Sequence, residues 1–187
     1  ARNFPKDVTI RTLNGEIVAS IARLPLADTV PIGGVSTGPR RYSWKPTEPH
    51  TLIWVEAQDG GDPKTKVSYR DVIFALAAPF ERAAREIART EYRFTGIAWT
   101  QDGTALITER DRATRWTRTW MRYPGGGDLR PLFDRSAEDR YGDPGTPLRR
   151  AGGGVASTTI LQDGDAMYLT GNGASADGDR PFVDRLD

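Results

Sequence analysis

The sequence predicts an all-β fold of antiparallel four-stranded units. Three observations point there. The stretch 94–111, FTGIAWTQDGTALITERD, is a strand, a tight turn and a strand, with Gln101-Asp102-Gly103 at the turn, where glycine reaches positive φ without steric cost. The same sketch returns at Thr158–Leu169 around Asp163-Gly164, and more loosely at Arg41–Trp44 followed by Thr51–Val55. Finally, 20 Gly and 13 Pro among 187 residues suit many turns and few long helices. An apolar strand running into Trp-x-x-Asp-Gly marks the inner part of a β-propeller blade, so the specific expectation is a partial propeller. Trp44 to Trp99 is 55 residues and Trp99 to Leu161 is 62. Common propeller repeats take roughly 40–50 residues, so these are long blades with enlarged loops.

Taken in order, the chain opens with its clearest hairpin: Val8–Leu13, Asn14-Gly15, then Glu16–Ile21. Asn-Gly between two β-type runs fits the two-residue turn whose twist matches paired strands. These would be outer strands of a blade whose inner strands are missing or fold back from elsewhere. Residues 24–39 form a loop rich in Pro and Gly. Leu52–Ala57 and Val72–Leu76 are strands. Residues 79–89 are ambiguous: Phe80, Ala83, Ala84, Ile87 and Ala88 share a helical face, yet Arg85–Thr90 stands where a blade needs its outermost strand, and strand is the reading adopted. Arg115–Tyr123 is a strand, and Leu129–Phe133 a short outer one. Residues 134–154 form a long polar loop, either projecting toward a partner domain or disordered. The last unit begins at Val155. The whole of 1–187 is thus one propeller portion, with approximate units at 1–39 (hairpin and loop), 40–89 (blade), 93–133 (blade) and 155–187 (partial blade). Ala1 opens the chain and Phe182–Asp187 ends it in an apparent strand, so both ends are expected to be cut from something longer.

Composition narrows the functions. The formal net charge is +1, so no global field recruits nucleic acid or an acidic membrane. There is no cysteine, which excludes disulfides, thiolate metal sites and cysteine nucleophiles, and a reducing cytoplasm fits. No apolar run approaches membrane-spanning length and no secretory signal pattern opens the chain.

Four motifs invite a chemical reading. Gly34-Val35-Ser36-Thr37-Gly38 is formally G-x-S-x-G, but a nucleophile elbow needs a strand before the serine and a helix after it. Pro39 and an extended run follow Ser36, and His50, the lone histidine, lies in a turn beside Pro49, so Ser36 is read as a loop residue. Asp59 with Asp62, Asp163 with Asp165, and Asp177 with Asp179 could offer oxygens to Ca²⁺. Aspartates in Gly-rich turns more often bond their own backbone. On β-strand alternation Trp116, Arg118, Trp120 and Arg122 share one face. They could stack single-stranded nucleic acid; the plainer reading is guanidinium groups stacked on neighbouring indoles. The sequence therefore predicts no catalytic, cofactor-binding or metal-binding residue, no cofactor, and no nucleic-acid or membrane partner.

Several stretches together resemble a known family: Ile21–Asp28, Pro39–Trp44, Glu56–Pro63, Phe133–Gly145 and Asp179–Phe182. They look like the propeller region of prolyl-oligopeptidase-type serine peptidases, closest to the glutamyl endopeptidase branch of chloroplasts and bacteria. The resemblance covers nearly the whole chain. It implies a parent in which an α/β-hydrolase domain carries a Ser-Asp-His triad and a propeller admits peptides and excludes folded proteins. No position here matches that triad. The chain would then be inactive alone, with its partners the parent's α/β-hydrolase domain and peptide substrates, and with self-association through exposed blade edges. The expected location is the bacterial cytoplasm, or the plastid stroma in a plant. The alternative is a stand-alone propeller-like interaction module without enzymatic activity.

Overall fold

The computed structural model describes residues 4–151 and 158–187, and among them there is no helix. The all-β, antiparallel, four-stranded expectation holds. The chain forms two compact units, Ala1–Ser43 with Thr51–Glu91, and Trp44–His50 with Tyr92–Asp187.

In the first unit, β1 (Lys6–Arg11) pairs antiparallel with β2 (Ile17–Leu24) as a two-stranded sheet. The turn between them differs from the two-residue expectation. The Thr12 carbonyl accepts from the Gly15 amide at 3.0 Å, and Gly15 has φ +91° while Asn14 is not left-handed. Leu13 and Asn14 are therefore the centre of the turn, and Gly15 is the left-handed residue that follows it. The second sheet of this unit is a meander in the order β3 (Arg40–Trp44), β4 (Thr51–Ala57), β5 (Asp71–Ala77), β6 (Arg85–Thr90). Both inner strands are buried on two faces, which is why Leu52–Val55 and Val72–Leu76 read as unbroken apolar runs rather than alternations. Leu52, Trp54 and Leu76 pack with Ile10, Ala19 and Ile21 of the hairpin; Ile53, Val55 and Ile73, on the other face, are at most 1% exposed. Pairing with β5 makes 85–90 a strand despite its helical spacing, with Ile73 opposite Ala88.

In the second unit the order is β10 (Arg130–Ser136), β9 (Trp116–Arg122), β8 (Ala105–Asp111), β7 (Arg93–Trp99), again a four-stranded meander. The segment 134–154 is not structureless. Its described part holds the end of β10, then β11 (Thr146–Pro147) and β12 (Arg149–Ala151); Gly152–Gly154 lie outside the described residues, as does the expected start of the last unit at Val155. Beyond them β13 (Thr158–Ile160) pairs with β12. β15 (Ala166–Gly171) pairs with β14 (Gln162–Asp163), with β11, and along its length with β16 (Phe182–Leu186). Leu106, Ile160 and Met167 form the core here, flanked by Ala98, Met121, Leu132 and Leu186.

Candidate functional site

Ser36 lies in the loop between β2 and β3, with no helix after it. Gly34 and Gly61 account for the Gly-rich spacing around it. The Val35 amide donates to the Gly61 carbonyl at 3.0 Å. A Cβ on Gly34 would stand 2.3 Å from the Gly61 carbonyl oxygen, and one on Gly61 would stand 2.0 Å from that of Val35. The two loops touch backbone to backbone, and only glycine permits it. The first glycine of the G-x-S-x-G pattern is thus a packing residue. His50 is exposed in the β3–β4 turn with φ +58°.

The loop that meets Ser36 is held by Asp59, which is 3% exposed. Its carboxylate accepts from the Gly61 amide at 2.9 Å and pairs with Arg70 at 2.9 Å. Arg70 also donates to the Pro63 carbonyl at 3.0 Å. Asp62 accepts from the Lys64 amide at 2.9 Å. Asp59 and Asp62 thus bond their own loop. At the other aspartate pairs, Tyr168 donates to Asp163 at 3.3 Å, Arg180 pairs with Asp177 at 3.2 Å and Arg140 with Asp179 at 3.7 Å, while Asp165 is exposed. Among the described residues no cluster of three or more His, Cys, Asp or Glu is placed to hold a metal ion.

The Trp/Arg face of β9 departs from the expected stacking on indoles. Arg118 lies over the Tyr92 ring, 4.4 Å from its centroid, and pairs with Asp134 at 3.2 Å. Trp120 Nε1 donates to Glu109 at 2.8 Å, and Trp116 Nε1 donates to Asp134. Glu109 is fully buried. Its other oxygen accepts from the Tyr92 amide at 2.7 Å, and Arg118 stands 3.9 Å away. The Trp116 and Trp120 indoles are tied edge-on to carboxylates, and the Arg118 guanidinium stacks on a tyrosine.

The turn after Trp99 is built around Asp102. Burial works against its charge. Hydrogen bonds from Thr100, Thr104 and Gln162 outweigh that and hold the carboxyl below its ordinary 3.8. The Thr104 amide donates to it at 2.9 Å, and Gln162 Oε1 accepts from the Gln101 amide at 2.9 Å. Thr100 also bridges to Ile160. In this way the Trp-x-x-Asp-Gly turn binds the β7–β10 sheet to the following strands. Lys45 sits 4.8 Å over the Trp99 ring.

The polar segment after β10 is bonded to itself and to the β8–β9 turn. Arg135 pairs with Asp143 at 2.6 Å and donates to the Asp139 carbonyl at 2.8 Å. Arg115, with φ +56°, pairs with Glu138 and accepts from the Ala137 amide at 2.7 Å. Sequence reading missed Glu109 and Asp71 as buried charges, and Arg70 as the half-buried partner of Asp59. Parity held a signal for the first: Ala105, Ile107 and Glu109 share one face of β8, and the first two are core residues.

What fold and geometry define is an all-β chain with four-stranded antiparallel sheets of the blade kind and polar groups committed to structure. Comparison with known proteins places it further. The chain is 40% identical, over an alignment of 194 positions that covers 98% of its length, to a probable chloroplastic glutamyl endopeptidase of Oryza sativa subsp. japonica. It is also 40% identical over 195 residues to a probable chloroplastic glutamyl endopeptidase of Arabidopsis thaliana. It spans only 21% and 20% of the length of these curated relatives. The similarity to glutamyl endopeptidases that the residue stretches implied is therefore present along nearly the whole chain, as a partial region of larger peptidases. No family model matches the chain, and no solved structure does.

Proposed function

We propose that this chain is the non-catalytic propeller portion of a serine peptidase and that it gates peptide access to a separate α/β-hydrolase domain. The observation that carries this reading is the 40% identity over 98% of the chain to about a fifth of two proteins named as glutamyl endopeptidases. The loop setting of Ser36 agrees with it, since no strand–serine–helix elbow is present there. The chemistry of the parent would be acyl transfer through a serine acyl-enzyme. Its partners are that hydrolase domain and peptides, and its sheet edges favour self-association when it is alone. In a plant the location would be the plastid, the compartment in both relatives' names; in a bacterium it would be the cytoplasm.

Gating is tested in the parent protein with one scissile sequence presented in three settings: a short peptide, a long peptide and a folded protein loop. Cleavage of the short peptide with the folded protein resistant is the expected result. Equal cleavage of a flexible peptide and of the same sequence within a folded protein contradicts gating. An absence of any peptidase activity in the native protein favours the stand-alone interaction module.

A further inference from the structure

We propose that a cleft on the β7–β10 sheet binds the C-terminal carboxylate of a short peptide ending in an apolar residue. The cleft lies on the face opposite Glu109, where Thr108 alternates with Ile107 and Glu109 along β8. Its volume is about 300 Å³, and its walls come from the sheet on one side and 144–149 on the other. Leu106, Phe133, Pro144 and Pro147 supply an apolar floor and rim. Thr108, Thr117 and Thr119 add hydroxyls. The Thr108 and Thr119 hydroxyls are 3.5 Å apart, a weak contact that leaves both able to bond a ligand oxygen.

Charge selects the ligand. Among the described residues two guanidinium groups line the cleft, Arg135 and Arg149, and no carboxylate does. Arg135 is neutralised by Asp143 at 2.6 Å. The Arg149 side chain is exposed, and among the described residues no hydrogen bond or ion pair of that side chain is found. The cleft therefore presents one uncompensated positive charge beside apolar wall. That suits a monoanion with an apolar group attached, such as a chain-terminal carboxylate, and suits a compact phosphate dianion poorly. A guanidinium meets a carboxylate through two parallel N–H donors, the stronger kind of hydrogen bond. This inference concerns a binding site on the chain itself and does not depend on the peptidase reading.

The test is titration of the chain, at a concentration where sedimentation shows a monomer, by calorimetry with acetyl-Ala-Leu bearing a free carboxylate, with its C-terminal amide, and with inorganic phosphate. The acid is expected to bind saturably, and the amide and phosphate at least about tenfold more weakly, the size of one charge-assisted bond. Arg149→Ala should lower affinity for the acid by about the same factor, whereas Arg150→Ala, a change outside the cleft lining, should leave it unchanged. Gly96→Val tests the cleft without touching charge. Gly96 lines it, and a Cβ there would meet nothing within 4 Å, so the variant should fold and lose binding. Equal binding of acid and amide, phosphate binding as tightly as the acid, retention in Arg149→Ala, or no saturable binding overturns the proposal.

Discussion

Glu109 is fully buried and carries bonds from Trp120 and the Tyr92 amide. Removing one member of such a set leaves the others unsatisfied, which costs about 1–3 kcal/mol. Glu109→Ala is therefore expected to lower unfolding free energy by at least that range in urea titration, and to shift the Trp120 emission. Tyr42 behaves differently. Its hydroxyl is buried without a hydrogen-bond partner among the described residues. Burial, with the Glu56 carboxylate adding to it, pushes its pKa up to about 12 from 10.0. A group whose folded pKa is raised contributes stability that is complete below the unfolded value and lost as pH rises through the folded one. Stability should thus fall between pH 10 and about 12. Tyr42→Phe should flatten that limb and change stability at neutral pH by less than about 1 kcal/mol. Asp102 has the opposite sign. Its folded pKa is depressed, so its contribution is present above 3.8 and lost as pH falls through the folded value. Asp102→Asn should remove this acid-side loss, read as a smaller difference between stabilities at neutral and low pH.

At the scale of the element, the contact between the Ser36 loop and the Asp59 loop rests on Gly34 and Gly61. Gly34→Ala and Gly61→Ala each force a backbone shift, because the added Cβ lies 2.3 Å or less from a carbonyl oxygen. Each is expected to destabilise by more than about 1 kcal/mol in thermal or urea unfolding. Gly125→Ala is the control. No atom lies within 4 Å of its Cβ position, and a change within about 0.5 kcal/mol is expected. The strands themselves were legible: continuous apolar runs at 52–55 and 72–76, the Asp-Gly turn at 102–103, and the position of 85–90 after two strands. The exact turn at 12–15 was not, because Asn-Gly supports either two left-handed residues or one, and the neighbouring register decides. The short pairings at 146–151 were hidden too. Two- and three-residue strands carry no periodicity, and their bonds run to Leu169, Thr170 and Ile160, far along the chain. The Thr and Arg149 cleft was illegible for the same reason, since its lining residues are scattered from Gly96 to Arg149.

For the whole molecule, β3, β6 and β10 lie at the ends of their sheets, and open edges invite pairing. Exposed side chains such as Leu13, Ile17 and Ile32 add apolar surface. The chain alone is expected to self-associate with rising concentration in sedimentation analysis, and a monomer stable at high concentration contradicts this. The central claim, a non-catalytic part of a serine peptidase, is tested most directly on the native protein purified from its source. Its intact mass and its labelling by a fluorophosphonate probe are measured together. The account predicts a protein several times larger than 20.6 kDa whose probe-labelled serine lies outside these 187 residues. A native chain of this size that ignores the probe, or labelling lost in Ser36→Ala, would contradict it.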